Sequence, residues 1–487
     1  MNPPILTQKL LDHLQQARQH AEVKGREILA CYSSPWDDWE PISAFSTAGQ
    51  GYAHAFFWAF NDPQLALVGL GQAAELVPQP GQGLVSLQQA WREMLGDALI
   101  VGPEKPHLLG GLAFDRQAAV SPLWSSFAYG ALVLPEILLI GRRQGSALLL
   151  STRVSARTDC NALCERLLAA VRELASTTRQ GPAPTSERNN LLSRCDSLPA
   201  DCWKAKVADA VDAIGQGRME KVVLARQVDF EAEQDFSLEA TLRYLRQAND
   251  STYLFAIRRG EHCFLGATPE RLVRLEGREL YTTALAGSTP RGHGPDEDLY
   301  NGNRLLDSAK DRHEHALVVN ALKSSLEAHV ETLQVPAMPS LHKLPHIQHL
   351  QTLVRGRVRP DVDLLTLVDA LHPTPAVGGV DKEHAIAYIR DQEGLNRGWY
   401  AAPVGWLNSD GNGEFAVALR SALIHGRQAH LFAGCGIVEG SDPEHEYQET
   451  CVKLRTMISA LMPEPTVDGC GERSVEQHTE VVAGCGT

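Results

Sequence analysis

Acidic side chains repeat at one spacing in two segments whose patterns predict helices. Asp311 and Glu314 stand three residues apart in SAKDRHEH, and Glu446 and Glu449 repeat this interval in EHEYQET. Residues three apart share one helix face, so each pair presents two carboxylates in the same direction. Two facing pairs can bind one hard cation such as Mg²⁺ through oxygen ligands. Spacing alone favours solvent-exposed helix faces, because acidic pairs on helices are common.

Cationic residues and glycines stand beside apolar strand patterns. Lys221 begins KVVLARQV and Arg420 ends FAVALR. A lysine at the mouth of such a strand can act as a base when burial removes its proton, or it can extend its ammonium group to solvent. A strand arginine in that setting pairs with a buried anion or marks an edge. Gly434-Cys435-Gly436 predicts a turn, either a plain connection or one whose backbone amides bind a carboxylate.

A histidine cluster resembles a metal site only superficially. His342, His346 and His349 have near-ligand spacing in LHKLPHIQHL. Pro345 interrupts any helix that would align them, and no cysteine or carboxylate stands beside them in the sequence. We therefore expect no zinc site here.

The bulk composition excludes several classes of protein. The chain has 487 residues, 44% of them hydrophobic, and a net charge of −14, which argues against nucleic-acid binding. The strongest apolar run, Ala131–Ile140, is too short to span a membrane, and the N-terminus lacks a secretory signal pattern. The ten cysteines contain no C-x-x-C pair and are expected to be reduced, so we predict a cytoplasmic protein. An anionic substrate would need a local cationic pocket.

Periodicity predicts an α+β fold with mostly antiparallel sheets, because strands and helices alternate without a strict βαβ rhythm. Helical patterns cover Leu6–Ala21, Gly83–Asp97, Trp203–Gly215, Asn303–Val330 and Tyr447–Leu461. Strand patterns cover Ala147–Ser151, Lys221–Val228, Thr252–Arg258, Phe264–Gly266, Gly405–Leu407, Glu414–Ile424 and Gln428–Ala433. We expect residues 1–190 to pack on a catalytic region at 191–462, with a surface connection at Thr177–Asn190 and a disordered tail at 463–487.

Nine sequence blocks, in order, resemble the chorismate-utilising enzyme family. They are GRMEKVVLAR, FLGATPERLVRL, ALAGSTPRG, LLDSAKDRHEHALVV, QHLQTLVRGRV, LHPTPAVGG, RGWYAAPVGWL, FAVALRSALI and FAGCGIVEGSDPEHEYQETCVKL. The resemblance is dense over residues 200–460 and thin over 1–190. It implies a single large catalytic unit of mostly antiparallel sheets with outer helices.

The resemblance also implies roles for individual residues. Lys221 matches the general base of the family, and Glu270, in ATPER, matches its general acid. The residues that match the magnesium site are the ligands Glu314 and Glu449 and their acidic neighbours Asp311 and Glu446. The residues that match the substrate pocket are Gly287, Ser288, His349, Ala376, Tyr400, Arg420, Gly434, Gly436 and Lys453. For His349 the resemblance gives a place near the site but no specific role.

Three positions distinguish members of the family. Anthranilate-forming relatives have glutamine in place of Lys221, and aminodeoxychorismate-forming relatives have a nucleophilic lysine in place of Ala286. Relatives that go on to eliminate pyruvate tend to have threonine where this chain has Ala376. These residues are similar to those of isochorismate synthases that release isochorismate, above all the type that supplies salicylate for siderophores, with the menaquinone type as a close alternative.

The resemblance therefore implies a magnesium-dependent isomerase that converts chorismate into isochorismate. It adds water at C2 and removes the C4 hydroxyl, and a separate isochorismate-pyruvate lyase or similar enzyme acts on the product. No amidotransferase subunit, nucleic acid or membrane is expected as a partner. A salicylate synthase, which also expels pyruvate, is the alternative.

Overall fold

The structure is a computed structural model that describes residues 3–36, 39–61, 64–79, 83–177, 189–248, 251–344 and 346–462. Within these ranges the chain forms helices and strands of both kinds in alternation. The α-helices are α1 Pro3–Lys24, α2 Pro41–Ser46, α3 Val85–Gly96, α4 Cys160–Thr177, α5 Ala200–Gly215, α6 Leu238–Ala248, α7 Pro295–Asp307, α8 Ala309–Glu327, α9 Leu364–Leu371, α10 Lys382–Tyr388 and α11 Pro443–Leu461. A π-helical turn, Ile389–Glu393, continues α10.

The strands form two sheets. The first, 13-stranded sheet contains β1 Ile28–Pro35, β2 His54–Asn61, β3 Gln64–Leu70, β5 Leu99–Val101, β8 Ile137–Arg142, β9 Gly145–Val154, β10 Leu191–Asp196, β11 Lys221–Ala232, β12 Tyr253–Arg259, β13 His262–Thr268, β19 Gly379–Val380, β22 Ser421–His425 and β23 Gln428–Ile437. The second, 10-stranded sheet contains β4 Ala74–Leu76, β6 His107–Leu112, β7 Gly130–Leu134, β14 Arg271–Glu276, β15 Glu279–Pro290, β16 Val330–Gln334, β17 Ser340–Lys343, β18 Ile347–Val358, β20 Pro403–Asn408 and β21 Gly413–Val417.

Both halves of the chain contribute strands to both sheets. In the first sheet, β2 from the N-terminal half pairs with β12 from the C-terminal half, and in the second sheet β6 pairs with β20. Among the described strands only β1 and β5 pair in parallel. The predicted α+β fold, one large unit of mostly antiparallel sheets, is confirmed, and none of the described helices is long and apolar enough to cross a membrane.

Alternation along the strands of the first sheet produces two hydrophobic cores. In β2, Phe56 and Trp58 belong to the core that includes residues of both sheets, whereas Phe57 between them belongs to the core beneath the outer helices. Successive side chains on a strand point to opposite faces, so one strand supplies both cores. The outer helices α1, α4, α6 and α11 cover the second core.

The structure corrects three local predictions. The helix expected at Asn303–Val330 is two helices, because the side chain of Ser308 accepts a hydrogen bond from the backbone N–H of Asp311 and starts a new helix there. The strand expected at Glu414–Ile424 is divided between β21 in the second sheet and β22 in the first. Arg420, with a left-handed φ of 50°, lies at the crossing. The predicted turn at Gly434–Gly436 lies within β23, so its amides belong to strand pairing.

Two expectations fall outside the described part of the chain. Most of the predicted surface connection lies in residues 178–188, and the predicted tail is residues 463–487. The partition of the chain into 1–190 and 191–462 stays a prediction.

Candidate active site

One cavity is lined by every residue that the sequence assigned to a site. Strands of both sheets, the helices α8 and α11 and the loops before β14, β19, β20 and β22 form its walls. The predicted residues that line it are Lys221, Glu270, Gly287, Ser288, Asp311, Glu314, His349, Ala376, Tyr400, Arg420, Gly434, Gly436, Glu446, Glu449 and Lys453. The location of these residues is thus observed, while the role of each stays a prediction.

Lys221 is the first residue of β11 and is almost completely buried, with 1% of its surface exposed. Its Nζ lies 2.8 Å from Oε1 of Glu314 on α8. Gly436, on the adjacent strand β23, leaves room for this pair, because a Cβ there would lie 2.6 Å from Glu314 Oε1 and 2.8 Å from Lys221 Cε. Any larger residue at 436 would displace the lysine or the carboxylate.

The other helix carboxylates also lie against lysines. Glu449 Oε1 is 2.5 Å from Lys453 Nζ, and Glu446 Oε1 is 3.4 Å from Lys310 Nζ. Burial acts to raise the pKa of Glu449, but the neighbouring Lys453 outweighs it and the pKa is lowered. Burial and the charge of Glu449 raise the pKa of Glu446. With Asp311, the cavity has four helix carboxylates against these three lysines, so the carboxylates are in excess by one.

The chemistry of this donor set suits a hard divalent cation, since carboxylate oxygens are the ligands that Mg²⁺ prefers. Burial raises the pKa of Asp311, and the carboxylate of Glu314 adds to the shift, so a cation there would relieve repulsion. In the described residues no three His, Cys, Asp or Glu side chains are gathered in a metal-binding arrangement. The carboxylates fit the ion by type and location, and they would have to turn away from their lysines to bind it.

Glu270 lies on a different wall of the cavity, between β13 and β14, with 3% of its surface exposed. The hydroxyl of Thr374 donates a hydrogen bond of 3.3 Å to its Oε1. Burial raises the pKa of Glu270 to about 7, although Thr374, Lys221 and Lys453 each act to lower it. A carboxylic acid with this pKa is partly protonated at neutral pH and can donate a proton.

Arg420 is buried, with 8% of its surface exposed, and it forms no direct ion pair with a carboxylate of the described residues, although the charge of Glu449 acts on it. Burial lowers its pKa to about 10, so it stays charged at neutral pH. One of its NH2 groups lies 3.4 Å from Nε2 of His349, and Nδ1 of His349 lies 2.8 Å from the hydroxyl of Ser288. Burial lowers the pKa of His349 well below its usual value, so the ring is neutral and Nε2 can accept from the guanidinium.

Backbone features set the positions of these side chains. Gly287 has a left-handed φ of 78° and forms a bulge that places Ser288 opposite His349. Tyr400 is buried and stacks on Phe432 with 5.2 Å between ring centroids.

Two further predicted residues line the cavity without a polar side chain. A Cβ at Gly434 would lie 3.1 Å from the backbone oxygen of Leu224 on the paired strand β11, so glycine avoids a tight contact there. Ala376 lies in the loop between α9 and β19, beside the Thr374 that contacts Glu270.

The sequence did not single out four residues of this region. Lys310 lines the cavity next to Asp311, and Arg397 lines it from the loop before β20. Thr374 contacts Glu270, and Glu393 contacts Arg397. Lys310, Thr374 and Arg397 lie in blocks of family resemblance, which was the available signal, whereas Glu393 lies outside them.

The comparisons with known proteins agree with this geometry. The family described as "chorismate binding enzyme" matches residues 13–462. The chain belongs to the chorismate-binding enzyme family.

Individual relatives match over nearly the whole chain. The "salicylate biosynthesis isochorismate synthase" of Pseudomonas aeruginosa is 40% identical over 92% of this chain and 93% of its own. The isochorismate synthase MenF of Bacillus subtilis is 34% identical over 91% and 96%. The crystal structure of the menaquinone-specific isochorismate synthase of Escherichia coli matches with a TM-score of 0.75 and 26% identity, covering 92% of this chain and 100% of that one. The family implied by the sequence blocks is confirmed.

Proposed function

We propose that this chorismate-binding enzyme is an isochorismate synthase, which converts chorismate into isochorismate with the aid of Mg²⁺. The observation that carries the proposal is that one cavity is lined by the buried Arg420, by Glu270, whose pKa is about 7, and by the buried Lys221. The relatives from Pseudomonas aeruginosa and Bacillus subtilis are both named isochorismate synthases and match nearly end to end.

The burial of Arg420 without a direct ion pair supports the proposal that the substrate is an anion. A buried guanidinium without a carboxylate partner is costly, and an anionic ligand would remove that cost. Chorismate carries two carboxylates, which Arg420 and the adjacent Lys453 would bind. The cavity thus supplies the local positive charge that a chain of net charge −14 otherwise lacks.

Glu270 and Lys221 divide the proton transfers between them. Protonated Glu270 gives its proton to the C4 hydroxyl, which leaves as water while the ring double bonds shift. Lys221, as the neutral amine, takes a proton from the water that adds at C2. The carboxylate and the ammonium then exchange a proton through solvent, so the reaction is an isomerisation without net consumption of water.

Magnesium would be held by Glu314 and Glu449, with Asp311 and Glu446 beside them. The ion would supply positive charge for a substrate carboxylate. Nζ of Lys221 lies 2.8 Å from Oε1 of Glu314, and a base must be neutral to accept a proton. Occupation of Glu314 by a cation would leave Lys221 without its counter-ion.

The product is assigned from single residues and from the relatives. Ala376 has no hydroxyl to hold the ring or the pyruvyl group, so isochorismate should leave unreacted. We place the enzyme before a separate isochorismate-pyruvate lyase or similar enzyme, in salicylate synthesis as for the Pseudomonas aeruginosa relative or in menaquinone synthesis.

The test is incubation of the purified chain with chorismate and Mg²⁺ in water enriched in ¹⁸O, with the product resolved by chromatography and mass spectrometry. We expect isochorismate with one ¹⁸O atom, located at the C2 hydroxyl, because the hydroxyl at C4 is lost. Pyruvate is measured in parallel with a lactate dehydrogenase assay. Pyruvate in equal amount to the chorismate consumed would instead assign a salicylate synthase, and an unlabelled product would exclude water addition.

A further inference from the structure

The edge of β11 that follows Lys221 lacks a complete partner strand. On one side β23 pairs with β11 from Val222 to Glu231. On the other side β19 reaches only Lys221 and Val222, and β10 begins pairing at Val228. The backbone N–H of Val223 still donates to the carbonyl of Gly378 beside β19, but the carbonyl of Val223 and both backbone groups of Ala225 face the gap between the two short strands.

Side chains fill this gap. The backbone N–H of Ala225 donates to Oε2 of Glu393 at 2.8 Å, and the backbone carbonyl of Val223 accepts from an NH2 of Arg397 at 2.8 Å. The indole N–H of Trp203 donates to the carbonyl of Ala225 at 3.1 Å. A buried strand edge needs hydrogen-bond partners, and here the side chains replace a strand.

Glu393 and Arg397 also bind each other and a second part of the cavity wall. Nε of Arg397 lies 2.7 Å from Oε1 of Glu393, and the two side chains are 1% and 2% exposed. NH1 of Arg397 donates to the carbonyl of Val377 at 2.8 Å. Val377 follows Ala376. The guanidinium of Arg397 therefore connects the strand that carries Lys221, the proposed base, with the loop that carries Ala376, the proposed determinant of the product.

The position of Arg397 in the cavity wall raises the alternative that it binds substrate. Each of its three nitrogens already donates a hydrogen bond, to Glu393 or to the carbonyl of Val223 or Val377, and the charge of Glu393 neutralises it. Its guanidinium also lies over the ring of Phe114, 4.2 Å from the centroid. Arg420, with no carboxylate partner, is the opposite case.

We propose that Glu393 and Arg397 act as a positioning pair that fixes the strand carrying Lys221 against the loop carrying Ala376. The inference rests on the proposed function, because its consequence is the placement of the proposed base. The pair touches neither substrate nor metal, and it acts by holding the backbone on either side of the reacting atoms. A misplacement of the base by about 1 Å is enough to slow turnover on the order of 100-fold.

The experiment compares two double variants in the full chain. Glu393→Met with Arg397→Met removes the pair and leaves apolar side chains in a buried place, a replacement that folded proteins often tolerate. Glu75→Met with Arg259→Met is the control, which removes a less buried ion pair of 2.6 Å between β4 and β12, outside the cavity. Arg397→Lys is the single, milder variant, which keeps the charge and loses the planar fork.

Two readouts separate positioning from general loss of structure. Amide hydrogen exchange followed by mass spectrometry should show faster exchange in residues 221–227 of the Glu393/Arg397 variant and unchanged protection of residues 432–437. Its kcat for chorismate should fall about 10- to 100-fold, while KM changes less than about 3-fold. The Glu75/Arg259 variant should keep the parental kcat, and Arg397→Lys should show the same pattern as the double variant in smaller degree.

Each other outcome overturns the inference in a distinct manner. A variant with faster exchange in residues 221–227 and full kcat would show that the pair does not position the base. A rise in KM with unchanged kcat would make Arg397 a substrate ligand. If the Glu393/Arg397 variant does not fold, Arg397→Lys decides, and full activity of that variant overturns the proposal. Failure of the parental enzyme to convert chorismate would instead remove the proposed function.

Discussion

Two buried glutamates on different walls of the cavity have pKa values that are shifted in opposite directions. We call Glu270, together with the Thr374 that hydrogen-bonds to it, the acid wall. The ion wall consists of Glu314, Glu446 and Glu449 with their lysines Lys221, Lys310 and Lys453. Burial acts to raise the pKa of both Glu270 and Glu449. On the acid wall it prevails, and the pKa of Glu270 is about 7. On the ion wall the outcome depends on the distance to the lysine: Lys453, at 2.5 Å, lowers the pKa of Glu449, whereas Glu446, with its lysine at 3.4 Å, keeps a raised pKa.

The difference indicates how environment, not residue type, would suit Glu270 to the proposed role of acid and Glu449 to the proposed role of metal ligand. Thr374, a neutral hydroxyl, touches Glu270, so the protonated form is available for donation. A charged lysine touches Glu449, so the carboxylate form is available for a cation. Substitutions on one wall should therefore change proton transfer, and substitutions on the other should change the requirement for metal.

The largest effect is expected on the ion wall. Replacement of Glu314 or Glu449 by Ala should abolish turnover in a folded protein, because each is proposed to supply a direct oxygen ligand. Turnover is followed by chorismate consumption across a magnesium titration. Glu444→Ala is the matched control, since Glu444 lies on the same helix and pairs with Lys204 at the surface. Full activity of the parental enzyme in excess chelator would rule out the metal.

Loss of the proton donor or acceptor should have the next largest effect. Lys221→Ala and Glu270→Gln should each lower kcat on the order of 10² to 10⁴, as is typical when a general acid or base is removed. KM should change far less, because Arg420 and Lys453 remain. Steady-state kinetics test this, with Lys206→Ala, a lysine that binds the carbonyl of Gln392, as the control. A variant that binds chorismate poorly and keeps its kcat would show that the role is binding.

The acid wall also predicts a pH dependence. Glu270 must be protonated to act, and its pKa is about 7, so kcat/KM at saturating Mg²⁺, where Lys221 is proposed to be the neutral amine, should fall as the pH rises through 7. At pH 8 it should be about tenfold below its plateau. The hydroxyl of Thr374 acts to lower this pKa, so Thr374→Val should move the limb to higher pH.

The control for that shift is Thr241→Val. This variant removes a buried hydroxyl on α6 that donates to the carbonyl of Ser237. It should leave the profile in place. A limb that persists unchanged in Glu270→Gln would mean that another group titrates.

A smaller effect is expected from Lys310, whose Nζ lies 3.4 Å from Glu446 and competes with a bound cation. Lys310→Met should lower the magnesium concentration for half-maximal binding about 3-fold, in keeping with the modest strength of a half-exposed ion pair. Isothermal titration with Mg²⁺ measures it without turnover. Lys323→Met, an exposed lysine on the same helix, is the control. Weaker binding in Lys310→Met would show that the lysine supports the ion.

The sequence predicted the positions of helices and strands better than it predicted where one ends and the next begins. The apolar pattern at Lys221–Val228 lies within β11, because a buried strand carries its own signal. The division between β21 and β22 does not show in the pattern, since apolar residues continue through it while the chain changes sheets. Ser308 likewise interrupts a helix within a continuous helical pattern, and only its capping bond reveals the boundary.

The site shows the same limit at longer range. Family resemblance brought together residues that line one cavity, although Lys221 and Glu449 are far apart in sequence. The pairing of Glu393 with Ala225 joins residues 168 positions apart, and no local pattern encodes it. Such contacts depend on how the two sheets close on each other.

The smallest expected effect concerns the product, at the boundary between the walls. Ala376 lies beside Thr374 of the acid wall and lines the same cavity as the ion wall. Formation of salicylate from isochorismate requires the hydrogen at C2 to move to the departing pyruvyl group, which depends on how the ring is held. Ala376→Thr adds a hydroxyl that can hold it, so pyruvate release should rise from a trace to a measurable minor fraction while isochorismate stays the main product. Ala376→Val, of equal size without the hydroxyl, is the control. Pyruvate release is measured over time for both variants. Equal release from the two would show that side-chain volume, and not the hydroxyl, sets the outcome. Release unchanged from that of the parental enzyme in both would remove position 376 as a determinant of the product.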